Sequence, residues 1–494
     1  MAAEHVDVLI VGAGLSGIGT AAHLARAVPG ASLLILESRG VSGGTWDLFR
    51  YPGTRTDSDA HTYGYSFKPW NRDTTLAPAA DILDYILDTA REYSLGSRIR
   101  HDHRVTSASW SSVDARWTVS AVHTDPTTGV EEPLTLTAGW LFGATGYFRY
   151  DRGYTPDFAR VDDFAGRVVH PQLWPDDLDY VGKQVVVIGS GATAVTMIPA
   201  MADDVAHITM LQRSPTYVMP LPSNDRVGGL LRTVLNDDRA YAITRRKNIA
   251  QSGALYKLFR RFPKQARGLI RRVNVSQLPP GYDVDAHFSP SYDPWDQRLC
   301  VAPDGDLFAA IRSGKAAVVT DTIDRFVPEG VQLASGRVLP ADIIVTATGL
   351  DLMVLGGIEL DVDGLPVDVT QRLAYKGARV SNVPNFAFAI GYTNASWTLK
   401  VDLVAEFVCR VLLEMHRRRT DTVTPVLADV NVPTRPLLDF GAGYVQRALD
   451  RLPRAGLAEP WGLPMDYRDD VRMLRTEPLL DGVLRFTRRR EAAL

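Results

Sequence analysis

Val6-Asp7-Val8-Leu9-Ile10-Val11-Gly12-Ala13-Gly14-Leu15-Ser16-Gly17 is the stretch that decides the fold. Its first six residues, short and rich in branched apolar side chains, read as a buried parallel strand. The glycines follow at GxGxxG spacing. The first allows a tight turn, the second lets backbone approach a pyrophosphate, and the third lets helix and strand pack closely. The helix N-terminus then faces the anion. Leu15, Ile18, Ala21, Ala22, Leu24 and Ala25 recur at helical spacing. A second strand, Leu33-Leu34-Ile35-Leu36, ends at Glu37, where a carboxylate can accept from ribose hydroxyls. Strand, turn, helix and acid occur in order, so Gly12, Gly14, Ser16, Gly17 and Glu37 are candidate dinucleotide-binding residues.

The pattern starts again at Val185-Val186-Val187-Ile188, followed by Gly189-Ser190-Gly191-Ala192-Thr193-Ala194. Alanine is an accepted variant at the third position. The next strand, Ile208-Thr209-Met210-Leu211-Gln212, ends in Arg213-Ser214 with no acid. An arginine there would clamp a 2′-phosphate, which Glu37 would repel. The first site therefore reads as FAD and the second as NADP, with Gly189, Ser190, Gly191, Thr193, Ala194, Arg213 and Ser214 as candidates for the latter. The plain alternative for Arg213 is a solvated strand-end arginine.

Between these turns an amphipathic helix is expected over Ile82 to Tyr93, and an antiparallel piece between Val105 and Ala138. Leu141-Phe142-Gly143 reads as a short strand closing on Ala144-Thr145-Gly146. A third apolar run, Ile343-Ile344-Val345-Thr346, leads into another Ala-Thr-Gly. The fold class expected is α/β, with two Rossmann-like domains and the second inserted into the first. The FAD domain would comprise 1–150 and 340–494, and the NADP domain 151–339, with a helical insert at about 225–290. That insert is basic, with Arg245, Arg246, Lys247, Arg260, Arg261, Arg271 and Arg272. It reads as a solvated helical face, the alternative being peripheral contact with a membrane surface.

At 494 residues the chain exceeds one ordinary core. Its apolar (45%) and charged (22%) fractions are those of a globular protein, and a net charge of −3 does not suggest a polyanion-binding protein. Cys300 and Cys409 are the two cysteines, far apart, which excludes a disulfide framework or a dithiol centre. The N-terminus carries acidic Glu4 and Asp7 and runs directly into a strand, so no signal peptide is read, and no stretch approaches the roughly 20 apolar residues of a membrane span. A cytoplasmic enzyme with no metal and no nucleic-acid partner is expected; the oligomeric state stays open.

Phe164-Ala165-Gly166-Arg167-Val168-Val169-His170-Pro171-Gln172-Leu173-Trp174-Pro175 matches FxGxxxHxxxWP, and Gly44 to Asp57 matches G-x-W-x4-[FY]-P-G-x3-D. Both patterns are those of type I Baeyer–Villiger monooxygenases, which the chain resembles over nearly its whole length. Trp46-Asp47-Leu48-Phe49-Arg50 and Pro294-Trp295-Asp296-Gln297-Arg298-Leu299-Cys300 are most similar to the ethionamide-activating branch. Related N- and S-oxygenating enzymes lack the tryptophan that stands here as Trp174.

The resemblance implies that NADPH reduces FAD and that oxygen adds to the flavin as a C4a-peroxide. A ketone then becomes an ester or lactone, with thioethers or thioamides as further substrates. It casts Arg298 as the fixed cation near the flavin and Asp57 as the carboxylate that positions it. Arginine suits the role because it keeps its charge at any working pH. The plain alternative for Arg298 is an ion pair with Asp293 or Asp296, and for Asp57 a loop cap. By the same carry-over Gly44, Thr45, Trp46 and Tyr63 line the flavin, and the backbone near Val105 meets the adenine. Arg55 and Thr56 face the nicotinamide half. His170 is expected to be a hinge or packing residue rather than an acid–base group, and Asn394-Ala395-Ser396-Trp397-Thr398 a loop reaching the substrate. An N- or S-hydroxylating monooxygenase, an uncoupled NADPH oxidase, or a redox sensor without turnover are the competing functions. A disulfide reductase would need a cysteine pair that this sequence lacks.

Overall fold

The computed structural model describes residues 3–429 and 431–489. Glu4–Val11 forms the expected strand, with parallel neighbours on both sides, Leu33–Leu36 and Glu131–Gly143. Its inner residues Val8, Leu9 and Ile10 are fully buried because both faces are covered: Val8 and Ile10 cluster with helix residues Ile18, Ile82 and Ile86, and Leu9 with Trp110, Trp117 and Leu352 on the other side. The predicted short strand at 141–143 is the end of the longer Glu131–Gly143. Its first part pairs antiparallel with Arg116–Thr124, which pairs antiparallel with His103–Ser111. That is the antiparallel piece read from the period-two stretch. Ala79–Glu92 is the amphipathic helix, and it buries Ile82, Tyr85 and Ile86 as its spacing requires. Leu15–Ala27 packs against the long C-terminal helix Trp397–Arg418.

A second sheet is wholly parallel, in the order Ala316–Thr320, His207–Gln212, Gln184–Ile188, Ile343–Thr346 and Arg167–Val169. This moves one expectation. Ile343–Thr346, expected in the first domain by the boundary at 340, lies instead between Gln184–Ile188 and Arg167–Val169 of the second. A four-residue apolar run buried on both faces fits either parallel sheet equally well, so its sequence could not choose. Arg167–Val169, within the FxGxxxHxxxWP stretch, is the edge strand of this sheet. The chain crosses between the sheets in the segments 146–154 and 347–352, which hydrogen-bond to each other through Tyr154 N–H to Gly349 O (3.0 Å) and Arg149 N–H to Asp351 O (2.9 Å).

The insert is helical, comprising Arg226–Val234, Asp237–Arg261, Pro263–Gln277 and Val284–Phe288. It leaves after Val218–Leu221 and returns at Cys300–Pro303, two short strands paired in parallel. Arg246, Arg260, Arg261, Arg271 and Arg272 are exposed, as expected of a solvated face. Arg245 is not: it is 6% exposed and turned inward. Among the described residues no helix is long and apolar enough to cross a membrane.

Candidate active site

The first glycine turn is shaped by its own backbone. Gly12 has φ +105°, and a Cβ there would lie 2.6 Å from the carbonyl of Ala144. A Cβ on Gly17 would lie 1.8 Å from the carbonyl of Gly12, so the third glycine is obligatory for the strand–helix contact. Glu37 is 3% exposed and accepts from Ala13 N–H (2.7 Å) and Arg39 N–H (3.0 Å). Oε1 also receives the Ser38 hydroxyl (3.4 Å), while Oε2 keeps capacity for a further donor, which suits a carboxylate that receives a ribose hydroxyl. Val105 sits in His103–Ser111, just beyond His103, whose N–H bonds to the carbonyl of Glu37 (2.8 Å). It is buried and is not part of the cavity wall.

Between the two turns lies a cavity of about 450 Å3. Its wall takes Gly14, Ser16, Thr45, Trp46, Asp57 and Tyr63 from the first domain, Gly191 and Thr193 from the second, and Arg298 from the end of the insert. Gly44 has φ +57° and starts the four-residue helix Thr45–Leu48, with its Cα edge against Gly14. Trp46 Nε1 donates to the Tyr63 hydroxyl (3.0 Å), and the two rings meet at right angles 5.5 Å apart. Burial pushes the Tyr63 phenol well above its ordinary range, so it stays protonated.

Arg298 and Asp57, far apart in sequence, form an ion pair on this wall. The neighbours that could have claimed Arg298 are taken, Asp296 by Arg260 and Asp293 by Arg267 (2.6 Å). Burial alone would lower the Arg298 pKa. The Asp57 carboxylate, then Tyr444 and Tyr147, outweigh it, and the net shift is upward. The guanidinium is 36% exposed at the side chain and opens to the cavity, so its charge is fixed without being sealed off. Arg55 spends Nη1 on Asp306 (2.7 Å), and its buried Nη2 has no hydrogen-bond partner among the described residues. Burial raises the Asp306 pKa against the pull of Arg55. A buried guanidinium nitrogen left without an acceptor beside a cavity fits an anionic or carbonyl-bearing cofactor. Thr56, also on the wall, caps its own loop by donating to Ser58 O (3.1 Å).

The second turn is looser. Gly189 has φ +132° and abuts Ala347 O, but a Cβ on Gly191 would meet nothing within 4 Å. Ala194 is fully buried. Ser190 and Ser214 approach one another (Oγ to O, 3.4 Å). Arg213 and Ser214 are exposed beyond the cavity wall, and Arg213 pairs with no carboxylate among the described residues. His170 bridges the crossings: Nε2 donates to Gly349 O (3.2 Å), while Nδ1 accepts from Gln172 N–H (3.2 Å). Burial lowers its pKa, consistent with a neutral packing residue. Of the expected 394–398 loop, Ala395 and Trp397 reach the cavity, but Trp397 already opens a helix. Its Nε1 donates to Ser16 Oγ (3.0 Å).

Several wall residues escaped sequence reasoning: Tyr147, Phe148, Tyr150, Tyr392 and Tyr444. Tyr147 stacks on Trp397 with centroids 4.9 Å apart. A usable signal existed for Tyr147, because it follows the C-terminal end of a parallel strand, where such folds bind ligands. Tyr392, in an irregular segment, and Tyr444, in the four-residue helix Gly443–Gln446, are single aromatics and carried none. Cys300 lines the cavity too, but burial pushes its thiol up to about 12.

Residues 10–72 match the NAD(P)-binding Rossmann-like domain. Over its whole length the chain is similar to the FAD-containing monooxygenase EthA of Mycobacterium tuberculosis, 50% identical across 98% of each chain. It is also 45% identical to a probable FAD-binding monooxygenase, AlmA, of an Acinetobacter species, over 99% of this chain and 97% of that one. Among solved structures, an oxidized steroid monooxygenase bound to NADP superposes with a TM-score of 0.73 at 25% identity, covering 86% of this chain and 89% of that one. With two glycine turns facing one cavity and identity of this extent, the chain belongs to the FAD-containing monooxygenases.

Proposed function

We propose that this monooxygenase is of the Baeyer–Villiger type, inserting one oxygen atom of O2 next to a ketone carbonyl to give an ester or lactone. Sulfides and thioamides would be further substrates. The observation that carries the reading is the Asp57–Arg298 pair on the cavity wall between the two turns. When bound, FAD would supply the redox chemistry that activates O2, with NADPH as the electron donor. Gly12, Gly14, Gly17 and Glu37 would hold its adenosine diphosphate half, while Gly44, Thr45, Trp46 and Tyr63 bound the flavin end. Gly189, Gly191 and Thr193 would take the NADP pyrophosphate, with Arg213 and Ser214 receiving the 2′-phosphate. Arg55 and Thr56 would meet the nicotinamide half.

Arg298 does the electrostatic work. Oxygen transfer to a carbonyl concentrates negative charge, and a fixed guanidinium stabilises it without a proton to lose. Asp57 keeps that guanidinium on the wall and limits its rotation. Tyr147 and Tyr444 add hydroxyl dipoles beside it. Trp46 and Tyr63 occupy wall that water would otherwise fill. The test is Arg298→Ala assayed in two halves. Bleaching of bound FAD by NADPH without oxygen should persist, while ester formation from a panel of linear, cyclic and aryl ketones should fall by about 10²–10³, the usual effect of removing one such donor. Retained ester formation overturns the assignment of Arg298. Peroxide release without any oxygenated product from the unaltered enzyme would favour an uncoupled oxidase instead.

A further inference from the structure

The short helix Ala60–Tyr63 carries Tyr63 to the cavity, and it is too short to satisfy its own carbonyls. Each carbonyl from His61 to Tyr65 is taken by a side chain from another element. Arg245 Nη1, on the insert helix Asp237–Arg261, approaches the carbonyls of His61 (2.9 Å), Thr62 (3.0 Å) and Gly64 (2.6 Å). Thr398 donates to Tyr63 O (2.6 Å), and Tyr241, one turn before Arg245, donates to Tyr65 O (2.8 Å). Arg245 Nη2 reaches Asp402 (3.1 Å), whose carboxylate also accepts from His23 (3.0 Å) and from Ser66 N–H (2.7 Å). The insert is moored a second time nearby, where Thr75 N–H bonds to Ser223 O (2.7 Å).

We propose that Arg245 is a positioning residue: from the helical insert, through three backbone carbonyls and Asp402, it sets where the Tyr63–Trp46 wall stands. The N–H groups of Thr62, Tyr63 and Gly64 bond back to Asp59 and Ala60, but the carbonyls of 61–65 are held from outside, three of them by Arg245 and one by Tyr241, so the segment's path follows the insert. A buried cation surrounded by carbonyls and one carboxylate is a task for the planar fork of arginine; lysine can reach only part of it. The tyrosine hydroxyl that receives Trp46 Nε1 is thereby tied to a helix that contributes neither ring. This rests on the reading that Trp46 and Tyr63 bound the flavin.

The test uses the FAD-loaded enzyme and needs no substrate for its first measurement. Arg245→Met should change the visible circular dichroism and fluorescence of bound FAD at unchanged flavin content. During turnover it should raise the fraction of NADPH electrons released as peroxide several-fold, with KM for NADPH within about twofold. Arg245→Lys should recover part of both effects. A flavin signal and peroxide fraction identical to those of the parent, with only a lower melting temperature, overturn the proposal. Should Arg245→Met not fold, Tyr241→Phe removes one hydroxyl and should move the flavin signal in the same direction by less; no movement there also overturns it. If the parent enzyme yields no ester or sulfoxide, the functional reading fails, whereas the flavin signal still decides the role of Arg245.

Discussion

The two glycine turns, Gly12 to Gly17 and Gly189 to Ala194, share a motif and differ in how much protein surrounds them. In the first, a methyl on Gly17 would lie 1.8 Å from Gly12 O, and Gly14 faces Gly44 with 3.4 Å from a notional Cβ to the Gly44 Cα. Its acid, Glu37, is buried and held by two backbone N–H groups. In the second, the third position already carries the methyl of Ala194, Gly191 faces open space, and Arg213 stands exposed. A turn closed by its own backbone suits a cofactor that stays, and an open one suits a cofactor that enters and leaves. Preorganisation lowers the cost of binding, while exposure keeps exchange fast.

The sharpest way to break this contrast is Gly17→Ala. The added methyl has no space, so overpacking should cost about 3 kcal/mol and the protein should purify with little flavin, read by thermal melting and the visible spectrum. Retention of flavin at the parent's melting temperature would mean the first turn is as loose as the second. Arg213→Ala should leave flavin content unchanged and raise KM for NADPH by about 10–100-fold, since a charge-assisted hydrogen bond contributes about 1.5–3 kcal/mol. KM for NADH should barely move, and an equal rise for both would remove Arg213 from 2′-phosphate recognition. Ala194→Gly is the mirror of the first change and should cost only about 1 kcal/mol through backbone entropy, with flavin intact. Gly191→Ala should shift folding stability by less than about 0.5 kcal/mol, because its Cβ meets nothing, yet weaken NADPH binding. A large stability loss there would show that the second turn is also closed.

Local rules explain why both turns were legible. Gly12 and Gly189 adopt positive φ, which glycine tolerates and other residues resist, so residue type reports conformation directly. Glu37 and Arg213 were legible because a strand end fixes where its next side chain stands. The basic insert shows the limit. Arg245 and Arg246 are adjacent and look alike in sequence, yet one is buried among carbonyls and the other is in solvent. Helical phase predicts two faces, but it does not say which face finds acceptors. The wall aromatics Tyr392 and Tyr444 were illegible for the same reason, since no period or spacing marks a side chain that meets the cavity only once.

By itself the sequence determined that two dinucleotide turns exist, where each begins, and which charge each strand end offers. Those are consequences of backbone geometry within a few residues. Only the tertiary structure decided that Ile343–Thr346 joins the second sheet, that Arg298 meets Asp57 rather than Asp293 or Asp296, and that an insert arginine holds the Tyr63 segment. Such choices depend on shape and hydrogen-bonding complementarity between surfaces distant along the chain, and no local period encodes which surfaces meet.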